Sequence, residues 1–317
     1  MTLRSLRDAL GQTLTPPTAI LMLSVDEAHL LERSLPAAAA QPDAEVVVID
    51  NACTDRSATL CEEHGARRVA LRERRSYAEA INAGLAATDA PAVLLLNADC
   101  VLDAGFLAAA RPRLDGPAVG SVAPLILRAT GMEPGQRTDI VDAAGITIDR
   151  RRKNSLAGHG EPRAKHTRPR EVFGGDGACV LYRREALNDV AVGAEVFDED
   201  MALWASDADV AWRVRNAGWR CLFEPAAVAW HVRFYSPGNR ALLAPEHRRL
   251  QFRNRLLMLA KNETARGFAR NAPFILSYEV LALGHALLRE RTLLRGYVEA
   301  FRLLGAARSR RHARSPQ

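Results

Sequence analysis

The stretch EVVVIDNACTD, Glu45 to Asp55, runs from an uninterrupted apolar segment straight into a polar turn. An apolar run bounded by turn formers suits a strand buried on both faces, as in a parallel sheet covered by helices. Upstream, TAILMLSV (Thr18–Val25) has the same character, and DEAHLLERSLPAA between the two puts Leu30, Leu31 and Leu35 on one helical face. Downstream, Thr54 is placed to cap a helix over DRSATLCEEH that Gly65 stops. RRVAL then reads as a third strand, SYAEAINAGLAAT as a helix and PAVLLLNADC (Pro91–Cys100) as a fourth strand. Strands alternating with helices imply βαβ units, a parallel sheet and an α/β fold. Right-handed crossovers bring the strand C-termini to one edge, outside which open α/β sheets bind their ligands. The acids collect there: Asp50, Asn51 and Asp55 after one strand, Asn97 and Asp99 after another.

With 317 residues and 48% hydrophobic content, the chain can build one large domain or two small ones. Its 43 basic against 37 acidic residues leave +6, which favours phosphate, nucleic acid or anionic lipid without choosing among them. Cys53, Cys61, Cys100, Cys179 and Cys221 are scattered and form no C-x-x-C pair, which excludes a disulfide framework or zinc knuckle and fits a reducing cytoplasm. The opening MTLRSLRDALGQTLTPP has no apolar core of a signal peptide. The best apolar run, Pro273 to Leu288, contains Glu279 and His285, so a soluble or peripheral protein is expected rather than a membrane span. Residues 129–171 show weak periodicity and carry the basic run Arg150, Arg151, Arg152 and Lys153, followed by Arg163, Lys165, Arg168 and Arg170. Beyond His247 the pattern is helical.

Three elements carry candidate chemistry. Asp99 closes an apolar strand in the segment NAD, where a carboxylate can hold Mg²⁺ or Mn²⁺ against a diphosphate; an ordinary strand-ending turn would use the same residues. In FDEDMALWASDADVAWRVRNAGW (Phe197–Trp219), Asp207 and Asp209 precede a helical stretch and could supply a base for an attacking hydroxyl or merely cap the helix. His231 ends the strand-like PAAVAWHVR and is either a borderline metal ligand or a packed histidine.

Taken in order, these segments resemble the inverting glycosyltransferase family 2, built on the GT-A fold. VVVIDNACTD resembles its nucleotide-binding strand and turn, SYAEAINAGLAAT its Asn-x-Gly helix, and LLLNADC a variant of its Asp-x-Asp metal motif. GGDGACVLYRREAL is similar to the acceptor-side strand, FDEDMALWASDADVAWRVRNAGW to the segment with the catalytic acid, and AWH with FRNRLLML completes the series. VDAAGITIDRRRKN and LQFRNRLLMLAKN are similar to bacterial rhamnosyltransferase-like enzymes of cell-surface polysaccharide assembly. The resemblance departs at Asn97, where Asp is usual, at Ser206 in place of the Glu before the catalytic Asp, and in SVDEAHL, which lacks an aromatic.

The resemblance implies a mostly parallel sheet flanked by helices, with a helical C-terminal extension. It implies inverting transfer of a sugar, rhamnose included, from a nucleoside-diphosphate sugar to a glycan or lipid-linked acceptor. Asp50 and Asn82 would contact the nucleotide; Asp99 and His231 would bind Mn²⁺ or Mg²⁺ with Asn97 nearby. Asp207 would be the base, and Asp176 with Trp204 would line the acceptor site. The expected organisation is a polar leader over 1–17, a catalytic domain over 18–240 and a helical region with a basic tail over 241–317. Two rivals are a sugar-nucleotide pyrophosphorylase, disfavoured because SVDEAHLLER holds no glycine, and a catalytically inactive sugar-nucleotide-binding relative. Nucleic acid is not an expected partner, because the Arg150–Arg170 stretch has no interleaved aromatic. Arg302, Arg308, Arg310, Arg311 and Arg314 either anchor the tail at the inner face of the cell membrane or form a solvated end on a packed helix.

Overall fold

The computed structural model describes residues 17–234 and 241–312. The expected leader over 1–17 therefore lies outside the described residues except at Pro17, and Arg314 lies outside them too.

The first half alternates as expected: β1 (Thr18–Ser24), α1 (Ala28–Ala39), β2 (Ala44–Asp50), α2 (Ser57–Glu63), β3 (Arg67–Ala70), α3 (Tyr77–Ala86) and β4 (Ala92–Asn97). Strands β4, β1, β2 and β3 lie side by side and parallel. Successive residues of β1 explain its unbroken apolar run. Ile20 and Met22 enter the core under α1 with Leu31 and Leu35, while Ala19 and Leu21 enter the opposite core with Val47, Ile49 and Leu85. Register then aligns the strand ends, because Ser24 faces Asp50, Leu23 faces Asn97 and Asp50 faces Ala70.

Helix α3 is started by a reciprocal pair, Ser76 accepting from the Glu79 amide and Glu79 accepting from the Ser76 amide. The start of α2 differs from expectation: Thr54 does not cap it. The Asp55 carboxylate accepts from the Ser57 amide, and Thr54 bonds Asp26 instead. Gly65 does follow the helix with φ +64°, a conformation that suits a residue without Cβ.

Beyond β4 come β5 (Cys100–Leu102), α4 (Phe106–Ala110), β6 (Val119–Ala129), β7 (Arg137–Ala143), β8 (Ile146–Ile148), β9 (Asn154–Leu156), β10 (Arg170–Val172) and β11 (Cys179–Arg183). The sheet order is β10-β12-β6-β11-β4-β1-β2-β3, where β12 is Arg220–His231, with β7 on β6 and β5 on β12. Strand β11 runs antiparallel between β4 and β6, so the sheet is mostly rather than wholly parallel. The weakly periodic stretch 129–171 thus holds β7 and three strands of three residues each, β8, β9 and β10, too brief to print a period on the sequence.

The basic run in that stretch is exposed at Arg150, Arg151 and Lys153 yet tied into the fold. Arg150 bonds Asn271 and stacks on Phe274, Arg152 pairs with Glu263, and the Arg151 carbonyl accepts from Arg255. It fastens the β8–β9 turn to the C-terminal helices α7 (Pro245–Asn262) and α8 (Ala265–Leu288), with α9 (Thr292–His312) following. Two shorter helices, α5 (Arg184–Asn188) and α6 (Ser206–Asn216), precede β12.

Two C-terminal features bear on the expected soluble or peripheral protein and its basic tail. Pro273 to Leu288 belongs to one continuous helix, α8, which among the described residues is the one long and apolar enough to cross a membrane by length and composition. Within the basic tail, Arg310 turns inward to Glu195 (2.7 Å) and Asp198 (3.1 Å), whereas Arg308 and Arg311 are exposed.

Candidate active site

The aligned ends of β1 and β2 form a tightly cross-braced rim. Asp50 is buried; its carboxylate accepts from the Cys53 amide and from the Arg68 guanidinium at 2.8 Å. Asn51 exchanges two hydrogen bonds with the Arg75 backbone. Asp26, Cys53 and Asp55 bring three potential ligand atoms within 4.8 Å of one another. These groups already have partners: Asp26 pairs with Arg74, Asp55 accepts from the Ala28 and Ser57 amides, and burial pushes the Cys53 thiol up. A cation there would have to displace Arg74, so the cluster is read as bracing.

The second strand-end pair fits a divalent ion better. Strand β5 pairs antiparallel with β12, setting His231 opposite Cys100 and so beside Asp99. The His231 Nε2 lies 3.2 Å from Asp99 Oδ1, and its Nδ1 lies 2.8 Å from Asp142 Oδ2. Burial alone would lower the imidazole pKa, but hydrogen bonds to Asp142 and Asp99 reverse that and lift it to about 10. With Nδ1 on Asp142, Nε2 faces Asp99 as an ion pair, and a divalent ion between them would take the place of the Nε2 proton. One carboxylate and one imidazole, with the Asn97 amide at the same strand end, suit Mn²⁺ or Mg²⁺. Glu27 stands at this end too: burial first, and the Asp99 charge second, raise its carboxyl above the ordinary range.

Asp142 also leads across the site. Arg233 donates to both Asp142 oxygens, at 2.9 and 2.8 Å, and to Asp176. Asp176 lies on the turn before β11, and its neighbour Gly177 donates its amide to Asp207 Oδ2 at 3.1 Å. Asp99, His231, Asp142, Arg233 and Asp176 therefore form a line of alternating charge that ends beside Asp207. Desolvation, and next the Asp176 charge, push the Asp207 carboxyl above the ordinary carboxylate value.

Asp207 begins α6 behind a strained approach, since Ala202, Trp204 and Ala205 have φ of 54°, 72° and 58°. Non-glycine residues hold that region only under external restraint. Asn254 of α7 supplies it: its amide nitrogen donates to the carbonyls of Met201, Leu203 and Trp204 at 2.6, 2.7 and 2.9 Å. Trp204 packs edge-on against His247. Asp209 faces the interior, paired with Arg213 (2.9 Å) and Lys261 (3.0 Å) and bonded by Asn262. Of the two acids in this segment, only Asp207 is directed toward Gly177 and Asp176.

The expectation for Asn82 needs correction. Both amide hydrogens are used, on the Phe197 carbonyl and Glu199, and the oxygen accepts from the Val196 and Phe197 amides. An amide has no further donor to offer a nucleotide, so Asn82 positions the 196–199 segment. Asp142, Arg233 and Asn254 are the residues that sequence reasoning left unassigned. Each stood inside a quoted motif (VDAAG, AWHVR and FRNR), but nothing along the chain joins them.

A sequence model of glycosyl transferase family 2 matches residues 19–191, more than half of the chain. The chain belongs to glycosyl transferase family 2. Uncharacterized glycosyltransferases of Mycobacterium bovis and Mycobacterium tuberculosis are 41% identical to this family 2 chain over 78 residues, 24% of it and 35% of each relative. The match thus spans about a third of those relatives.

Solved structures share the fold. S. aureus TarS 1-349 in complex with UDP-GlcNAc superposes with a TM-score of 0.60 at 15% identity, covering 94% of this chain and 89% of that 1-349 chain. The mannosyltransferase PcManGT of Pyrobaculum calidifontis, in complex with GDP-Man and Mn²⁺, gives 0.54 at 20% identity over 95% and 88% of the two chains. GalNAc-T7 with UDP, GalNAc and Mn²⁺ gives 0.60 at 15% identity, over 79% of this chain and 48% of that one.

Proposed function

We propose that the protein transfers a sugar from a nucleoside-diphosphate sugar to an acceptor hydroxyl in one inverting displacement, with Asp207 as base. The observation that carries this reading is the continuous line from Asp99 and His231, through Asp142, Arg233 and Asp176, to Asp207. On this reading Asp99 and His231 would hold the cation at one end of the line, and Asp207, whose pKa is raised, would be the base at the other. The solved relatives are held with UDP-GlcNAc or GDP-Man, which supports a nucleoside diphosphate as the donor class.

Asp99 and His231 would hold Mn²⁺ or Mg²⁺ with Asn97 nearby. Bound there, the ion would neutralise charge on the diphosphate. Asp50 lines the nucleotide end of the same edge, and Asp176 with Trp204 lines the acceptor end. The Asp207 carboxylate takes the acceptor O–H proton as that oxygen bonds the anomeric carbon. The bond from that carbon to the diphosphate oxygen breaks on the opposite side, and the nucleoside diphosphate leaves. One displacement inverts the centre and needs no second nucleophilic carboxylate.

The finer reading is rhamnose as the sugar and a cell-surface glycan or its lipid-linked precursor as the acceptor. Its support is the likeness of VDAAGITIDRRRKN and LQFRNRLLMLAKN, segments that here bond each other through Arg255 and the Arg151 carbonyl. We also propose that 18–240 and 241–317 differ in role, sugar transfer against positioning, although α7 is bonded into the catalytic segment.

A thermal-shift series with UDP, GDP and dTDP, each with and without Mn²⁺, tests the donor site. One nucleotide should stabilise the protein in Mn²⁺ and lose that effect in EDTA, by roughly 3 kcal/mol at a hundred times its Kd. Equal stabilisation in EDTA would remove the cation from the reading. Turnover of a sugar nucleotide undiminished in Asp207→Asn would remove the base.

A further inference from the structure

An amphipathic helix on a globular protein turns its apolar side inward. Helix α8 does so only in part: Ile275 and Ala286 are buried, but a second apolar face is left outward. Its inward side carries Asn271, Tyr278 and Glu279, bonded or stacked with Arg150, Arg151 and Arg255. Its outward side carries Leu276, Val280, Leu281, Leu287 and Leu288, exposed by 54%, 70%, 73%, 50% and 84%. Phe301, 78% exposed, and Val298 extend this character to α9. Apolar exposure on this scale marks a contact surface rather than ordinary surface scatter.

Charge around the patch says what covers it. Arg266 and Arg270 are exposed before the apolar stretch, Arg289 and Arg291 after it, and Arg295 and Arg302 flank Val298 and Phe301. The three acids of residues 265–312 all turn inward, Glu279 to Arg255, Glu290 to Arg248 and Glu299 to Arg249. An apolar face rimmed by arginines alone matches a bilayer whose surface is anionic and whose interior is hydrocarbon. A second copy fits less well, since a two-fold contact through this face would set arginine rims against one another.

Helix α8 is long enough to span a bilayer, but crossing would strip Glu279 from Arg255 and Asn271 from Arg150, leaving buried polar groups unmatched. Lying in the interface keeps those contacts and buries only the outward face. We infer that the outward face of α8, continued by Val298 and Phe301 of α9, seats the protein in the interface of an anionic bilayer. The inference is independent of the catalytic reading.

Sedimentation with vesicles of phosphatidylcholine, with and without phosphatidylglycerol, tests it on the full chain. The protein should sediment with the phosphatidylglycerol vesicles at low salt and less at high salt. A Val280→Gln, Leu281→Gln, Leu288→Gln variant should bind on the order of a hundredfold more weakly. Those side chains are exposed, so its circular dichroism, Tm and nucleotide binding should match the parent. An Arg289→Gln, Arg291→Gln, Arg302→Gln variant should lose the salt-dependent part of binding. Equal sedimentation of the parent and the apolar variant, or of neither, overturns the inference. A concentration-dependent dimer that the apolar variant abolishes, without vesicle binding, overturns it in favour of a second copy.

Discussion

Asp207 carries two loads at once: it is desolvated, and Asp176 stands next to it. Both favour the protonated carboxyl, so its folded-state pKa lies above the ordinary value and the basic form appears only as pH rises through it. The ascending limb of kcat/KM should therefore stand above the ordinary carboxylate range, and Asp176→Asn should move that limb to lower pH. A limb unmoved by Asp176→Asn would separate the two acids. Asp207→Asn keeps the shape but cannot accept the proton, and a rate loss of about 10²–10⁴-fold is expected with nucleotide binding retained. Asp209→Asn should behave differently, because Asp209 serves the interior. Its pKa falls to about 2: burial would raise it, but Lys261 and Arg213 outweigh burial. A depressed acid contributes stability above its unfolded value near 3.8 and loses it as pH falls toward 2. Asp209→Asn should lower Tm at neutral pH and flatten its decline in that acid window, which acid titration by circular dichroism would read.

At the scale of elements, the catalytic segment is assembled by helix α7. Asn254 holds the three carbonyls of the left-handed turn that aims Asp207, and Lys261 neutralises buried Asp198 and Asp209 together. Asn254→Ala leaves those carbonyls without their donor and should cost about 1–3 kcal/mol of stability. Since the turn presents the proposed base rather than the nucleotide, kcat should fall while nucleotide affinity holds, a split that steady-state kinetics and calorimetry resolve. Lys261→Met removes the cation that two buried carboxylates share, leaving Asp209 to Arg213 and Asp198 to Arg310, and should lower Tm. The helical pattern of FRNRLLMLAKN is plain in the sequence, but its buried face includes Asn254, Lys261 and Asn262. Their partners lie some fifty residues away (Asp198, Met201, Asp209), so pattern reading along one helix could not supply them.

At the scale of the molecule, the C-terminal helices belong to the catalytic unit as much as to any surface. Arg310 reaches Glu195 and Asp198, the latter already held by Lys261. Ending the chain at Phe301 should thus lower both Tm and turnover, and loss of membrane binding in such a truncation would not by itself identify an anchor. Activity lost to EDTA and restored by Mn²⁺ in the intact chain would tie the Asp99–His231 end to turnover; full activity in chelator would break that tie.

The sequence by itself determined the parallel α/β half, because a strand buried on both faces must be apolar throughout and the capping chemistry of α3 is local. It also determined that Asp50 and Asn97 end their strands, with Asp99 in the turn that follows Asn97, since turn formers follow each apolar run. Only the tertiary structure decided how Asp142, Arg233 and Asp176 link His231 to Asp207, that Asn82 is spent on residues 196–199, and that the Arg150–Lys153 run is a fastening. Those outcomes depend on hydrogen bonds between residues far apart in the chain, and their geometry is set by sheet register and helix packing. The same holds for α8, whose composition is apolar in the sequence but whose outward leucines were revealed only by what its other side holds.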